Sequence, residues 1–173
     1  DPLWNNGNYY DQEKQPTESL ALAMQMMNVA AFHAGFFERV YPRETMKDQE
    51  NLESVTGQTT FEKALNAVVM QSVPYTDLNH WIYTCRMCIN YDVSRPYGGD
   101  LDKALSRIRA KVLAVPCRQD ALHPWEFITW VTDRINTLGG NAESYILDSD
   151  YGHMAGILRT DLFAEKVREF LDN

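Results

Sequence analysis

Cysteine is scarce: the chain has 3 in 173 residues. An odd and small number builds no disulfide framework, which points to a reducing, cytoplasmic compartment. Positive charge is also short. Lys and Arg number 16 against 24 Asp and Glu, a net charge of −8 with a pI near 4.9. Such a chain repels phosphate backbones and anionic lipid surfaces, so neither nucleic acid nor a membrane is expected as a partner. Long apolar runs are missing as well. The most apolar stretch, Met24 to Phe37, is interrupted by Gln25, Asn28 and His33 and falls short of the ~20 apolar residues of a bilayer span. There is no internal repeat and no low-complexity tract. The opening Asp1-Pro2-Leu3-Trp4 has no initiator Met, basic n-region or apolar h-region, and reads as part of something longer.

What is present is an ordinary globular composition, 45% hydrophobic and 23% charged, at a length that buries a core without disulfides or metal. The first half reads helical. A helix from Pro16, with Thr17 as N-cap, places Leu20, Met24, Met27, Ala31 and Ala34 on one face and ends around Tyr41-Pro42. A second groups Phe61, Leu65, Val68 and Val69. A third, from Asp77, groups Leu78, Trp81, Ile82, Cys85 and Ile89. After a linker, Ser94 to Gly99, strands and helices alternate. Lys111 to Val115 is a short apolar run suited to a parallel strand buried on both faces. A helix from Pro124 carries Ile128, Val131, Ile135 and Leu138 and closes at Gly139-Gly140. Ser144 to Leu147 supplies a second strand, and a last helix from Asp161 buries Phe163, Val167, Phe170 and Leu171. Two parallel strands leave two open edges and make less than an ordinary sheet, so the rest of the sheet is expected outside this chain.

In an open α/β sheet, ligands and catalytic groups collect beyond the carboxyl ends of the strands. Asp120 follows the first strand there and His153 follows the second. Parallel neighbours bring the two loops together, and a carboxylate holding an imidazole in one tautomer is the acid/base half of a triad. A metal cluster of Asp120, His123, Asp150 and His153 is the alternative, hydrolysing through a bound water, although these ligands have no recognised metal spacing. The Asp148-Ser149-Asp150 loop is no calcium site, because Arg159 stands where an EF-hand needs Glu. Cys85 and Cys88 lack a second pair for zinc and are read as core packing on one helix face. Cys117 is also read as packing. His33 is read as a core or cleft histidine, and His80 as a surface cap or a residue facing substrate. Met24, Met26 and Met27 with Phe32, Phe36 and Phe37 are read as packing or as the lining of an acyl pocket.

At these residues the sequence resembles a known family. Asp120-Ala121-Leu122-His123-Pro124, then a helix, a strand and Tyr151-Gly152-His153, look like the C-terminal Asp and His segments of homoserine O-acetyltransferase-like α/β-hydrolases. The opening Asp1-Pro2-Leu3-Trp4-Asn5-Asn6-Gly7-Asn8-Tyr9-Tyr10 is similar to the segment that leads into that family's helical lid, and Asn79 to Arg86 resembles a lid helix. The resemblance implies an α/β fold: a helical lid over residues 1–97, and over 98–173 the C-terminal part of the core with its last two parallel strands. It implies catalysis by Asp120 and His153 through an acyl-Ser intermediate, with no bound cofactor or metal and with acyl-CoA as acyl donor. The family's Gly-x-Ser-x-Gly elbow is absent from the chain. A missing segment or a second polypeptide is therefore expected to supply the Ser, and this chain alone is expected to be inactive. Further expected partners are a small acyl substrate and a second copy, through the lid. Two departures, Met154 where family acetyltransferases carry Asp and the missing Tyr-Leu-Arg-Tyr-Gln stretch around Ser54 to Gln58, shift weight toward an esterase-like hydrolase or another acceptor. A non-catalytic binding or dimerisation module is the reading from a different class.

Overall fold

The structure is a computed structural model that describes residues 1–42 and 54–172. The chain divides into two compact units, Asp1–Val29 with Glu38–Tyr91, and Ala30–Phe37 with Asp92–Asn173.

The first unit is helical. Its main elements are α1 (Thr17–Ala31, whose last two residues fall in the second unit), α3 (Thr60–Ser72) and α4 (Leu78–Asn90). Capping follows from the sequence. Thr59 and Glu62 exchange side-chain-to-backbone hydrogen bonds at the start of α3, and Asp77 accepts from the His80 amide at the start of α4. Leu20, Ala21, Met24, Val69 and Val73 form the core, with Leu65, Leu78 and Trp81 packed on it. The Tyr9 hydroxyl donates to Asp77 Oδ2 at 2.7 Å and accepts from the Leu78 amide at 3.0 Å, while Trp4 Nε1 donates to Asn79 Oδ1 at 2.9 Å. The opening segment is thereby tied to the start of α4. From Tyr83 onward α4 runs past this core and is exposed. Cys85 and Cys88, expected to pack, are therefore exposed free thiols, and Ile89 is exposed as well. Met24 packs, but Met26 and Met27 are exposed.

The long helix expected from Pro16 to Tyr41 is two helices, α1 and α2 (Ala34–Val40). Thr17 is the first helical residue of α1 rather than its cap. The break falls at Phe32-His33, where the His33 amide leaves the helix ladder and donates to the Asp150 carbonyl at 3.1 Å. His33 is exposed rather than a core residue. Its Nδ1 accepts from the Gly35 amide at 3.1 Å, satisfying an orphan donor at the start of α2.

The second unit holds a parallel pair, β1 (Lys111–Ala114) and β2 (Asn141–Ser144), in the register Lys111 to Asn141 through Ala114 to Ser144. The crossover is α6 (Trp125–Thr137), preceded in this unit by the short α5 (Leu101–Leu105). The second strand begins three residues before the expected Ser144. Beyond Ser144 the pairing continues as single bonds, Tyr145 N–H to the Ala114 carbonyl and Leu147 N–H to the Pro116 carbonyl at 2.8 Å each, ending in a Cys117–Leu147 bridge. Pro116 has no N–H, so the regular ladder cannot run through it. Ile135, Leu105 and Ala142 are buried together between α6 and the strands, and Cys117, Leu147 and Ala155 form a second cluster at the carboxyl end of the pair. After the short α7 (Ala155–Leu158), the last helix, α8 (Ala164–Asp172), starts three residues beyond Asp161, which lies in a 3-10 turn and pairs with Arg159. Leu171, expected to be buried, is exposed. Among the described residues no single helix is long and apolar enough to cross a membrane.

Candidate active site

Both loops that leave the carboxyl ends of the strands are short and heavily hydrogen-bonded. After β1, Asp120 folds back on its own loop: its Oδ1 accepts from the amides of Leu122 at 2.8 Å and His123 at 2.9 Å. This local Asx-type bonding is what an Asp in a turn does well. After β2, Gly152 begins a 3-10 turn that presents His153. Gln119 joins the two loops, accepting from the Ser149 amide at 2.9 Å through Oε1 and donating to Asp148 through Nε2.

The Gly152 turn leaves no room for a side chain. Gly152 has φ +54°, and a Cβ there would lie 2.9 Å from the Ala31 carbonyl oxygen and 3.1 Å from that of Gln119. Residues 30–37 press on the turn from one side, where Phe32 stacks on Phe36 and the Phe36 ring meets Tyr151 edge to face at 5.2 Å between centroids. Thus the backbone bearing His153 is held by the Asp120 loop and by the Phe32 to Phe36 segment of its own unit.

Asp120 and His153, singled out from the sequence, are brought together. His153 Nδ1 lies 3.0 Å from Asp120 Oδ2, with the Asp120 side chain 10% and the His153 side chain 32% exposed. Burial pushes the Asp120 carboxyl up, but the His123 amide, the His153 imidazole and the Leu122 amide outweigh it and hold the group below the usual carboxylate range. An ionised carboxylate only accepts, so the 3.0 Å contact requires a hydrogen on His153 Nδ1, which in the neutral imidazole leaves the lone pair on Nε2. That is the tautomer a general base needs. The pair lines a recess of about 290 Å³ that Val115, Pro116, Cys117 and Ile128 bound on the apolar side.

His123 joins this pair. Its Nδ1 lies 3.2 Å from His153 Nδ1 and 3.7 Å from Asp120 Oδ2, and the two imidazoles stack with centroids 5.0 Å apart. Of the four residues grouped from the sequence as a metal alternative, Asp120, His123 and His153 converge within 4.8 Å, and Asp150 is not among them. Asp150 instead offers its carbonyl to His33. Cys117 is buried, its thiol directed to the Ser149 carbonyl at 3.5 Å, whereas His80 is exposed at the start of α4. The sequence reading missed Gln119 as the tie between the loops and the Phe32 to Phe36 segment as the support of the His153 turn. The glycine directly before His153 was the available signal for a backbone close approach there.

No protein-family model matches the chain. It is 28% identical over 172 residues to a homoserine O-acetyltransferase from Geobacter metallireducens, covering 99% of this chain and 45% of that protein. It is 27% identical over 174 residues to a serine O-succinyltransferase from Stenotrophomonas maltophilia, covering 99% and 47%. In structure it matches the homoserine O-acetyltransferase from Bacillus anthracis with a TM-score of 0.89 and 38% identity, over 100% of this chain and 45% of that one. The chain thus spans about half the length of the relatives it matches. In sequence it is similar to homoserine O-acetyltransferases over about half their length, and in fold it matches a C-terminal part of an α/β-hydrolase.

Proposed function

We propose that Asp120 and His153 are the acid and base of a Ser-His-Asp triad for O-acyl transfer, in a cytoplasmic enzyme similar to homoserine O-acetyltransferases. The observation that carries this is the 3.0 Å contact between His153 Nδ1 and Asp120 Oδ2, made between two post-strand loops at the edge of a recess. The Ser and the oxyanion hole come from a segment outside this chain or from a second polypeptide, because no Ser here has the Gly-x-Ser-x-Gly setting. His153 Nε2 takes the Ser proton as Oγ attacks the acyl carbonyl of an acyl-CoA donor, then returns that proton to the leaving thiolate. In the second half, the same nitrogen deprotonates the acceptor hydroxyl, and the Ser oxygen leaves with that proton. Asp120 stays ionised throughout, stabilising the imidazolium and fixing its tautomer. The helical region within residues 1–97 is assigned the lid role that the resemblance to the family implies.

The test is an acyl-transfer assay on the chain joined to its nucleophile-bearing segment, with His153→Ala beside the parent. Turnover in the parent and none in the variant is expected, and equal turnover in both would overturn the triad. An esterase-like hydrolase is the second reading, favoured by Met154 after the base where family acetyltransferases carry Asp. It predicts acyl release to water at the same rate with or without homoserine or serine as acceptor.

A further inference from the structure

Asp120 Oδ2, His123 Nδ1 and His153 Nδ1 form a triangle with sides of 3.0, 3.2 and 3.7 Å. The three atoms face one point, and the tautomers of the two imidazoles set which of them donates there. Four tetrahedral ligands at 2.0 to 2.1 Å from a zinc ion stand about 3.3 Å from one another, and the three observed sides bracket that spacing. Two imidazoles and one carboxylate are a donor set for zinc and similar borderline ions. The carboxylate is oriented in advance, because its other oxygen is held by the Leu122 and His123 amides.

We infer that Asp120, His123 and His153 form a binding site for a divalent transition ion such as Zn2+, with a fourth position open to water or a ligand. An imidazole that ligates through Nδ1 carries its hydrogen on Nε2. Occupancy therefore moves the His153 hydrogen from Nδ1 to Nε2 and removes the lone pair a base would use. Metal binding and acid/base use of His153 exclude one another, a consequence that rests on the triad reading, whereas binding itself does not.

The experiment titrates the 173-residue chain with Zn2+ against a chromophoric chelator at neutral pH, in a Cys85→Ser, Cys88→Ser background so that the exposed thiols do not contribute. One ion per chain is expected. His123→Ala, at a side chain 64% exposed and so compatible with folding, should weaken binding at least about tenfold, while His80→Ala leaves it unchanged. Binding that survives His123→Ala intact, or that disappears with the two thiols, would overturn the site. If zinc binds in the His123-dependent way yet His153→Ala leaves turnover unchanged, the triad fails and the metal site stands. If zinc binding is indifferent to His123 while turnover still depends on His153, the metal site fails and the triad stands.

Discussion

Asp120 assigns its two oxygens to different tasks, Oδ1 to the amides of its own loop and Oδ2 to the imidazole across the strand pair. Asp120→Asn preserves the first and reverses the second. The amide oxygen must stay with the Leu122 and His123 donors, so the NH2 faces His153 Nδ1 and forces its hydrogen onto Nε2. Turnover of the complete enzyme should fall by about 10⁴-fold through the wrong tautomer, with the far-UV circular dichroism unchanged. The same carboxylate has a pH signature. Its folded pKa lies below its unfolded value, so its contribution to stability is present above the unfolded carboxylate value and is lost as pH falls through the lowered one. The melting-temperature gap between parent and Asp120→Asn should narrow over that acidic window. Gly152→Ala puts a Cβ 2.9 Å from the Ala31 carbonyl at a positive φ. A loss of about 1–3 kcal/mol in urea unfolding is expected.

At the scale of elements, the register of β2 is fixed from α6 as much as from β1. Asn136, near the end of α6, donates to the Ala142 carbonyl and accepts from the Ala142 amide, both at 2.7 Å, closing the turn into β2. The buried Thr132 hydroxyl on the same helix meets the Ser144 hydroxyl at 2.8 Å. These two contacts place the end of β2, and with it the loop that carries His153, at a set height beside β1. Asn136→Ala strands both polar groups of Ala142 and should cost about 1–3 kcal/mol. Thr137→Ala, one residue on and exposed, should change urea unfolding by no more than about 0.5 kcal/mol.

Over the whole molecule the acidic residues are arranged so that many are held by a partner. The His80 amide lowers Asp77, the Ser94 hydroxyl lowers Asp92, Arg134 lowers Asp102, Arg159 lowers Asp161 and the Thr59 amide lowers Glu62. Each folded pKa lies below its unfolded value, so the native chain binds fewer protons than the unfolded one through the acid range. Stability from these groups is present above the ordinary carboxylate value near 4 and is lost as pH falls below it. Thermal unfolding followed through the acid range should show a midpoint that falls as pH passes below that value, by a modest amount because these pairs are exposed to solvent. A midpoint that rises on acidification would contradict these pairings.

Asp120 and His153 were legible because each follows a parallel strand whose apolar pattern is strong, and because the residues around them have a family's spacing. The start of α4 at Asp77 was legible too, since a helix start is signalled locally by a side chain able to bond a nearby amide. The break at Phe32-His33 was not, because its cause is the Asp150 carbonyl more than a hundred residues along the chain. Nor were the exposure of Cys85 and Cys88, which depends on where the first unit's core ends, or the separation of Asp150 from Asp120, His123 and His153, since the Asp150 carbonyl is taken up by the His33 amide. By itself the sequence determined the order of elements and the chemical types at the two loop ends, since both are written in periodicity and residue identity. Only the tertiary structure decided which donors meet at Asp120, because a hydrogen bond is settled by fractions of an ångström between atoms distant in the chain.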